Sequence, residues 1–228
     1  MLIGSRQKLS TLSESLELLI DNIPIKQVST TKSLGIVIDN NMAWHSHIDK
    51  LSKKIASSIG AIKRIRPFLL PEIRQYIYNA LVQPHFDYYS IVWGNCGKML
   101  SERLQKLQNR AARILTSSSY DADALYLLQQ LGWKDLITQR QIQETLMVFK
   151  ALNDLAPDHL SSMFTKRTMS GYVFRDPTNK LNVTLPRTNY LKRSFSYRGA
   201  TLWNSLPCNL GQEKSLNRFK QLLNFHFS

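Results

Sequence analysis

The sequence lacks several things, and each absence narrows what it can be. Only two of its 228 residues are cysteine, Cys96 and Cys208, and each stands alone in its neighbourhood. No disulfide framework or Cys-rich zinc site is expected, and both read as free thiols in a reducing compartment. No apolar run approaches the ~20 residues a bilayer-spanning helix requires. The N-terminus lacks the basic-then-apolar layout of a secretory signal. These absences point to an intracellular protein, cytoplasmic or nuclear, with no membrane partner. No internal repeat or low-complexity tract is present. No two aspartates are adjacent anywhere. Acidic side chains are scarce as a class: 16 Asp and Glu face 30 Lys and Arg, for a formal charge of +14.

What is present suits a globular fold, with 43% hydrophobic and 10% aromatic residues, far from disordered composition. The positive charge is unevenly spread. Residues 1–40 are net neutral, 41–115 carry +8, 116–163 carry −3 and 164–228 carry +9. Two basic segments flanking an acidic one favour a polyanionic partner, most often nucleic acid; a merely solvated surface is the plainer alternative.

The chain is organised around Pro71 to Leu115. Pro71-Glu72 suits the first turn of a helix. Ile73, Tyr76, Ile77, Tyr78, Ala80, Leu81 and Val82 then surround that helix on all sides, as in a buried central helix. Pro84 should end it, and a dense aromatic run from Phe86 to Trp93 follows. After Gly97 a second helix turns Leu100, Leu104, Leu107, Ala111 and Ile114 inward. Arg103, Lys106, Arg110 and Arg113 recur at the same spacing along its flank.

Upstream, Met1 to Gly4 reads as an apolar strand, and Leu16–Ile20 with Ile23–Val28 as a hairpin turning at Asp21-Asn22. Leu34–Asp39 reads as a further strand. A helix from about Trp44 to Ile65 follows, with Trp44, Ile48, Leu51, Ile55, Ile59 and Ile62 as its core stripe. Lys50, Lys53, Lys54 and Arg64 lie broadly opposite that stripe. Downstream, Asp121 or Asp123 can cap a short helix, Ala124 to Gln130, stopping at Gly132. Further helices are expected over 133–152, around 194–207 and over 216–227. Loops, with a strand at Leu181 to Leu185, fill the prolines' neighbourhood between them. The expected class is mostly α with a small N-terminal β element.

Ala80-Leu81-Val82-Gln83-Pro84-His85-Phe86-Asp87-Tyr88, Val92-Trp93-Gly94 and Leu104-Gln105-Lys106-Leu107-Gln108-Asn109-Arg110-Ala111-Ala112-Arg113 form an ordered series. It resembles the region after the catalytic palm in reverse transcriptases of non-LTR (LINE-type, jockey-like) retrotransposons. Leu34-Gly35-Ile36, Ile38-Asp39, Trp44 and His47-Ile48 are similar to the join of palm and thumb. Arg187, Ser194-Phe195, Ala200, Trp203-Asn204, Leu206-Pro207 and Phe219-Lys220 are similar to the tail of the same elements. The resemblance implies trailing palm strands over 1–40, a helical thumb-like bundle over 41–163 and a basic, partly irregular C-terminal extension over 164–228. It also implies a fragment, with the upstream palm and fingers as a partner if they are expressed together.

Polymerisation requires carboxylates holding two divalent ions; in the resembled enzymes two of these are adjacent aspartates. Tyr120-Asp121-Ala122-Asp123 separates its aspartates and leads into a helical pattern, so it reads as a cap. No catalytic residue, metal ligand or cofactor is therefore nominated, and the chain is read as a non-enzyme. His45 and His47, two apart on a helix, point to different sides and read as packing residues. The nominated binding residues are cations that can follow phosphates: Arg103, Lys106, Arg110 and Arg113, with Lys50, Lys53 and Lys54. The expected partner is RNA, DNA or an RNA–DNA hybrid, held without sequence preference. Tyr88, Tyr89 and Trp93 could stack on bases, but an apolar run favours core. The alternative function is a helical protein-interaction module or a translated relic without a selected role.

Overall fold

The computed structural model describes residues 1–11, 18–167 and 179–227. In chain order the elements begin with α1 (Arg6–Thr11), β1 (Leu19–Ile20), β2 (Ile23–Pro24), β3 (Thr30–Ser33), β4 (Ile36–Asp39), α2 (His45–Ile65) and a 3-10 turn, Arg66–Phe68. Then come α3 (Pro71–Leu81), α4 (Gln83–Asp87), α5 (Ser90–Trp93), α6 (Lys98–Thr116), α7 (Ala124–Gln130) and α8 (Leu136–Leu152). The last are α9 (Asp158–Ser161), α10 (Asn189–Arg193), α11 (Phe195–Ser205), α12 (Cys208–Gly211) and α13 (Leu216–His226). The fold is mostly helical, with two small antiparallel sheets near the N-terminus. Two compact units emerge: Met1–His85 with Cys96–Ala122, and Phe86–Asn95 with Asp123–Ser228.

In the first unit, α2 has the expected apolar stripe. Trp44, Ile48, Leu51, Ile55, Ile59 and Ile62 are all buried, and α2 packs against α6 and α3. Leu104, Ala111 and Ile114 face inward from α6, whereas Leu100 and Leu107 are half-buried. Ala112 and Leu115 complete the inward face.

Three expectations in this unit need correcting. First, α3 is not a buried central helix. Tyr78 is buried, but Ile73 and Leu81 are exposed and Tyr76 is 70% exposed. Apolar residues all around a helix do not supply neighbours on every side, and α3 meets α2 and α6 along one stripe. Second, Pro84 does not end it. The helix stops at Leu81, and Pro84 lies in the first turn of α4, where a missing N–H costs nothing. Third, Met1–Gly4 forms no strand; Gly4 only donates its N–H to Asn40 O.

The strand read over Leu34–Asp39 is shorter. Leu34 and Gly35 both have positive φ, 46° and 82°, and make the two-residue turn of a hairpin. Thr30–Ser33, read as a lead-in, is the partner strand β3. Only β4 is covered: Ile36 and Val37 are buried and β4 packs on α2. Asp21 and Asn22 likewise both have positive φ and turn β1 into β2, as read from the sequence. Leu16 and Glu17 of that reading lie outside the described residues.

The join between β4 and α2 is held by one carboxylate. Asp39 accepts backbone N–H bonds from Asn41 (3.1 Å), Ala43 (2.9 Å) and Trp44 (2.7 Å). Trp44 has φ 67° and is 1% exposed; a bulky residue in that region is strained, and the Asp39 bond with full burial holds it there. His47 is buried beside it: Val37 N–H donates to His47 Nδ1 at 3.4 Å. Burial first, then Lys54, push its pKa down. His47 is a packing residue, as its spacing suggested.

In the second unit α8 is central, touching α5, α9, α11 and α13. It starts at Leu136 rather than Trp133 because Asp135 caps it, accepting N–H bonds from Ile137 and Thr138. Phe149 and Phe219 stack at 4.3 Å, and Trp203 lies 5.8 Å from Phe219. A Cβ on Gly199 would meet Val148 Cγ2 at 2.8 Å, so glycine permits the close approach of α11 to α8. Asn204 holds Leu181 by both its N–H (2.8 Å) and C=O (2.9 Å). The strand expected over Leu181–Leu185 reduces to a single bridge, Lys166 to Leu181. Residues 168–178 of the expected loop lie outside the described residues. The aromatic run divides: Trp93 is buried under Arg140 at 5.0 Å, while Tyr88 and Tyr89 are exposed. A left-handed Tyr89, φ 50°, turns the chain there and starts α5.

Buried Glu144 receives Arg198 Nη2 on Oε2 at 2.5 Å, while its Oε1 has no hydrogen-bond partner among the described residues. Burial pushes the Glu144 pKa up, with Arg198 pulling the other way.

These contacts set the stability expected of three variants. A chain beginning at Asn40 should melt lower than the full chain and bind more hydrophobic dye, because Ile36 and Val37 cover α2. Asp39→Ala alone should cost ~1–3 kcal/mol, in the range of hydrogen bonds to a charged group. Unchanged melting would show that the β3–β4 cover is dispensable. In the second unit, Arg198→Met should cost about 3 kcal/mol at neutral pH, by stranding a buried carboxylate. A raised native pKa means that the folded state holds the proton more tightly than the unfolded chain. Stability therefore falls as pH rises from the ordinary glutamate value of 4.5 through the native pKa. The penalty of Arg198→Met should accordingly shrink in urea titrations at pH 5; a pH-independent penalty would contradict this.

Candidate nucleic-acid interface

On α6 a cation recurs at 103, 106, 110 and 113, which places all four along one flank of the helix. The structure separates them into different jobs. Arg103 lies 3.0 Å from Asp49 Oδ1, and Lys53 lies 2.8 Å from its other oxygen. Hydrogen bonds from Lys53 and then Arg103 hold the Asp49 carboxyl below its usual range. These two nominated cations are thus partly occupied with each other's neighbour. Lys50 and Lys54 are exposed on α2 and do not line the groove formed further along.

Lys106, Arg110 and Arg113 do line it. They share a groove of about 680 Å3 with Lys63 from α2 and Arg66 from the 3-10 turn. Asn109, Ser118 and Tyr120 add polar edges, Leu107 and Ile114 an apolar floor, and no Asp or Glu lines it. With no acid among its described lining residues, such a surface concentrates positive potential.

Packing places the five cations together. The α2–α6 contact is fixed by the isoleucine stripe and the inward face of α6, so flanking residues of both helices converge at its rim. Lys63 lies in the last turn of α2 and Arg113 in the last turn of α6, where the helix dipole favours a cation. Arg74 joins the two ends: its Nε donates to Leu69 O (3.0 Å), and its Nη1 to Leu115 O (3.2 Å) and Ser117 Oγ (2.9 Å).

Arg113 is half-buried and also structural. Its Nε and Nη2 donate to Ala122 O at 3.2 and 3.0 Å, and its guanidinium sits 5.8 Å from the centre of the Tyr120 ring. Asp121 in the same loop has its pKa lowered, mainly by a hydrogen bond from Ser119, with a smaller pull from Arg113.

The Tyr120–Asp123 stretch that imitates a catalytic carboxylate pair is a helix start. Asp123 Oδ1 accepts the Leu125 N–H at 3.1 Å and caps α7. Among the described residues no group of three His, Cys, Asp or Glu could hold a metal ion, and no helix is long and apolar enough to cross a membrane.

Three groove residues escaped the sequence reading. Lys63 falls one position from Arg64, which was assigned to the outer face. Arg66 follows the periodic part of α2, where spacing no longer fixes direction. Tyr120 was absorbed into the capping pattern. Basic residues in the last turn of a long helix were the available signal for the first.

Two curated proteins of Drosophila melanogaster are similar to part of this chain. One, "Probable RNA-directed DNA polymerase from transposon X-element", is 22% identical over 104 residues, covering 44% of this chain and 12% of its own length. The other, "Probable RNA-directed DNA polymerase from transposon BS", is 25% identical over 104 residues, again 44% of this chain and 12% of its own. The chain thus matches about an eighth of either relative, and over that span it is related to RNA-directed DNA polymerases of transposons. No protein-family profile matches the chain, and no solved structure does.

Proposed function

We propose that this chain is part of a non-LTR, jockey-like reverse transcriptase lying beyond the catalytic palm, and that it holds nucleic acid in the α2–α6 groove. The observation that carries this reading is the groove itself. Five cations, Lys63, Arg66, Lys106, Arg110 and Arg113, line it without one carboxylate, in a chain similar to transposon RNA-directed DNA polymerases. Residues 1–40 would supply trailing palm strands, 41–163 thumb-like helices and 164–228 a basic extension. Ammonium and guanidinium groups following phosphates carry no base information, so binding is independent of sequence. RNA, DNA or their hybrid would be held in this way, with the upstream palm and fingers supplying the chemistry. The chain has no adjacent aspartates, and on this reading it extends no primer with magnesium or manganese.

Fluorescence anisotropy with an RNA–DNA hybrid from low to moderate salt tests the holding role. Four phosphate contacts give a slope of log affinity against log salt of roughly −3 to −4. Lys106→Glu with Arg110→Glu should flatten that slope by about two and weaken binding at least tenfold. Arg103→Glu should act less, since Arg103 already pairs with Asp49. Coincident curves for native and doubly reversed chains would leave the groove a solvated face and favour a protein-interaction module.

A further inference from the structure

At the groove's edge Tyr120 is 93% exposed, and it packs into no core. Yet the loop that carries it is braced. Arg113 bonds Ala122 O twice, Thr116 Oγ1 lies 2.8 Å from Ser118 Oγ and donates to Ala112 O at 2.9 Å, and Ser117 takes the left-handed C-cap of α6. The Arg113 guanidinium lies 5.8 Å from the centre of the ring. An aromatic ring on a braced loop, open to solvent and lining a basic groove with no acid among its described lining residues, has the makings of a stacking platform. Every base has a π-face, so such a platform is tolerant of sequence.

We propose that Tyr120 stacks on an unpaired base, and that the groove beside it takes the adjoining phosphates of a single-stranded segment of RNA or DNA on Lys63, Lys106 and Arg110. This deepens the holding function and rests on it. The preference for an unpaired base follows from geometry: inside a duplex both faces of a base are already stacked, whereas in a single strand a face is free to meet the ring. A groove of about 680 Å3 lies within the range that accommodates small-molecule ligands. The platform therefore distinguishes single strands, overhangs and junctions from blunt duplexes, which the cations alone cannot do.

The test uses the full chain with 12-residue oligothymidylate and oligouridylate, a blunt duplex of equal length, and an oligothymidylate carrying one 2-aminopurine. Tyr120→Ala should weaken both single strands by roughly tenfold or more, leave the blunt duplex unchanged and abolish 2-aminopurine quenching. Tyr120→Phe should keep both properties. An effect on only one of the two oligonucleotides would assign the platform to that nucleic acid. Lys106→Glu with Arg110→Glu is the companion arm and should weaken all ligands. If single strands bind the Tyr120→Ala chain as tightly as the native one while the charge reversal still weakens them, the stacking proposal is overturned and the groove stands. If the charge reversal changes nothing, the groove reading itself has failed. Thermal melting of each variant separates these outcomes from misfolding.

Discussion

The first unit depends on the apolar stripe of α2. Ile48, Ile55, Ile59 and Ile62 are all but fully buried, and each is worth roughly 1.5–3 kcal/mol of hydrophobic stabilisation. Because those side chains fill the contact with α6 and α3, the two long helices have little freedom to rotate or slide. Everything on their flanks is positioned as a consequence. Lys63 and Arg66 meet Lys106, Arg110 and Arg113 because the residues beneath them are close-packed.

Gathering like charges opposes folding, and the structure shows what offsets it. Arg113 spends its fork on Ala122 O and its face on Tyr120. Lys63 and Arg113 occupy last turns, where partial negative charge from free carbonyls lies close. Arg74 is turned inward and ties carbonyls of two segments together. At the other end of the unit, Asp49 draws off Arg103 and Lys53. What remains uncompensated among the groove's cations is concentrated on Lys106 and Arg110, both exposed. Bare cations are what the proposed phosphate-holding role draws on, whereas uniform pairing would leave only a solvated exterior.

Periodicity made the long elements legible. The α2 stripe, the α6 faces, the Asp123 cap and the Asp21-Asn22 turn all follow from local rules about spacing and φ. Failures came where a residue's neighbours, rather than its own preferences, decided the outcome. The composition of α3 carries no count of the helices beside it, so Tyr76 looked buried and is not. Thr30–Ser33 has no apolar alternation, since β3 gains its place by pairing with β4 and not by burial. Groove membership depends on where two helices cross. Spacing along α6 could not tell Arg103, which meets Asp49, from Lys106, which lines a groove that no described Asp or Glu lines.

The N-terminal strands show how such an error changes the physical conclusion. Read from the sequence, Leu34–Asp39 is one continuous strand that starts at Leu34. In the fold Leu34 leaves the strand to make a turn, Ser33 pairs with Ile36, and Ile36 and Val37 turn into the unit while β3 stays exposed. Asp39 then converts the end of β4 into the start of α2 through three N–H bonds. The hairpin therefore belongs to the helical core as its cover, and Asp39 fixes the linker that leads into α2. Because α2 starts just beyond that linker and runs to Ile65, the same helix that the hairpin secures at one end brings Lys63, and through the turn that follows Arg66, to the groove at the other.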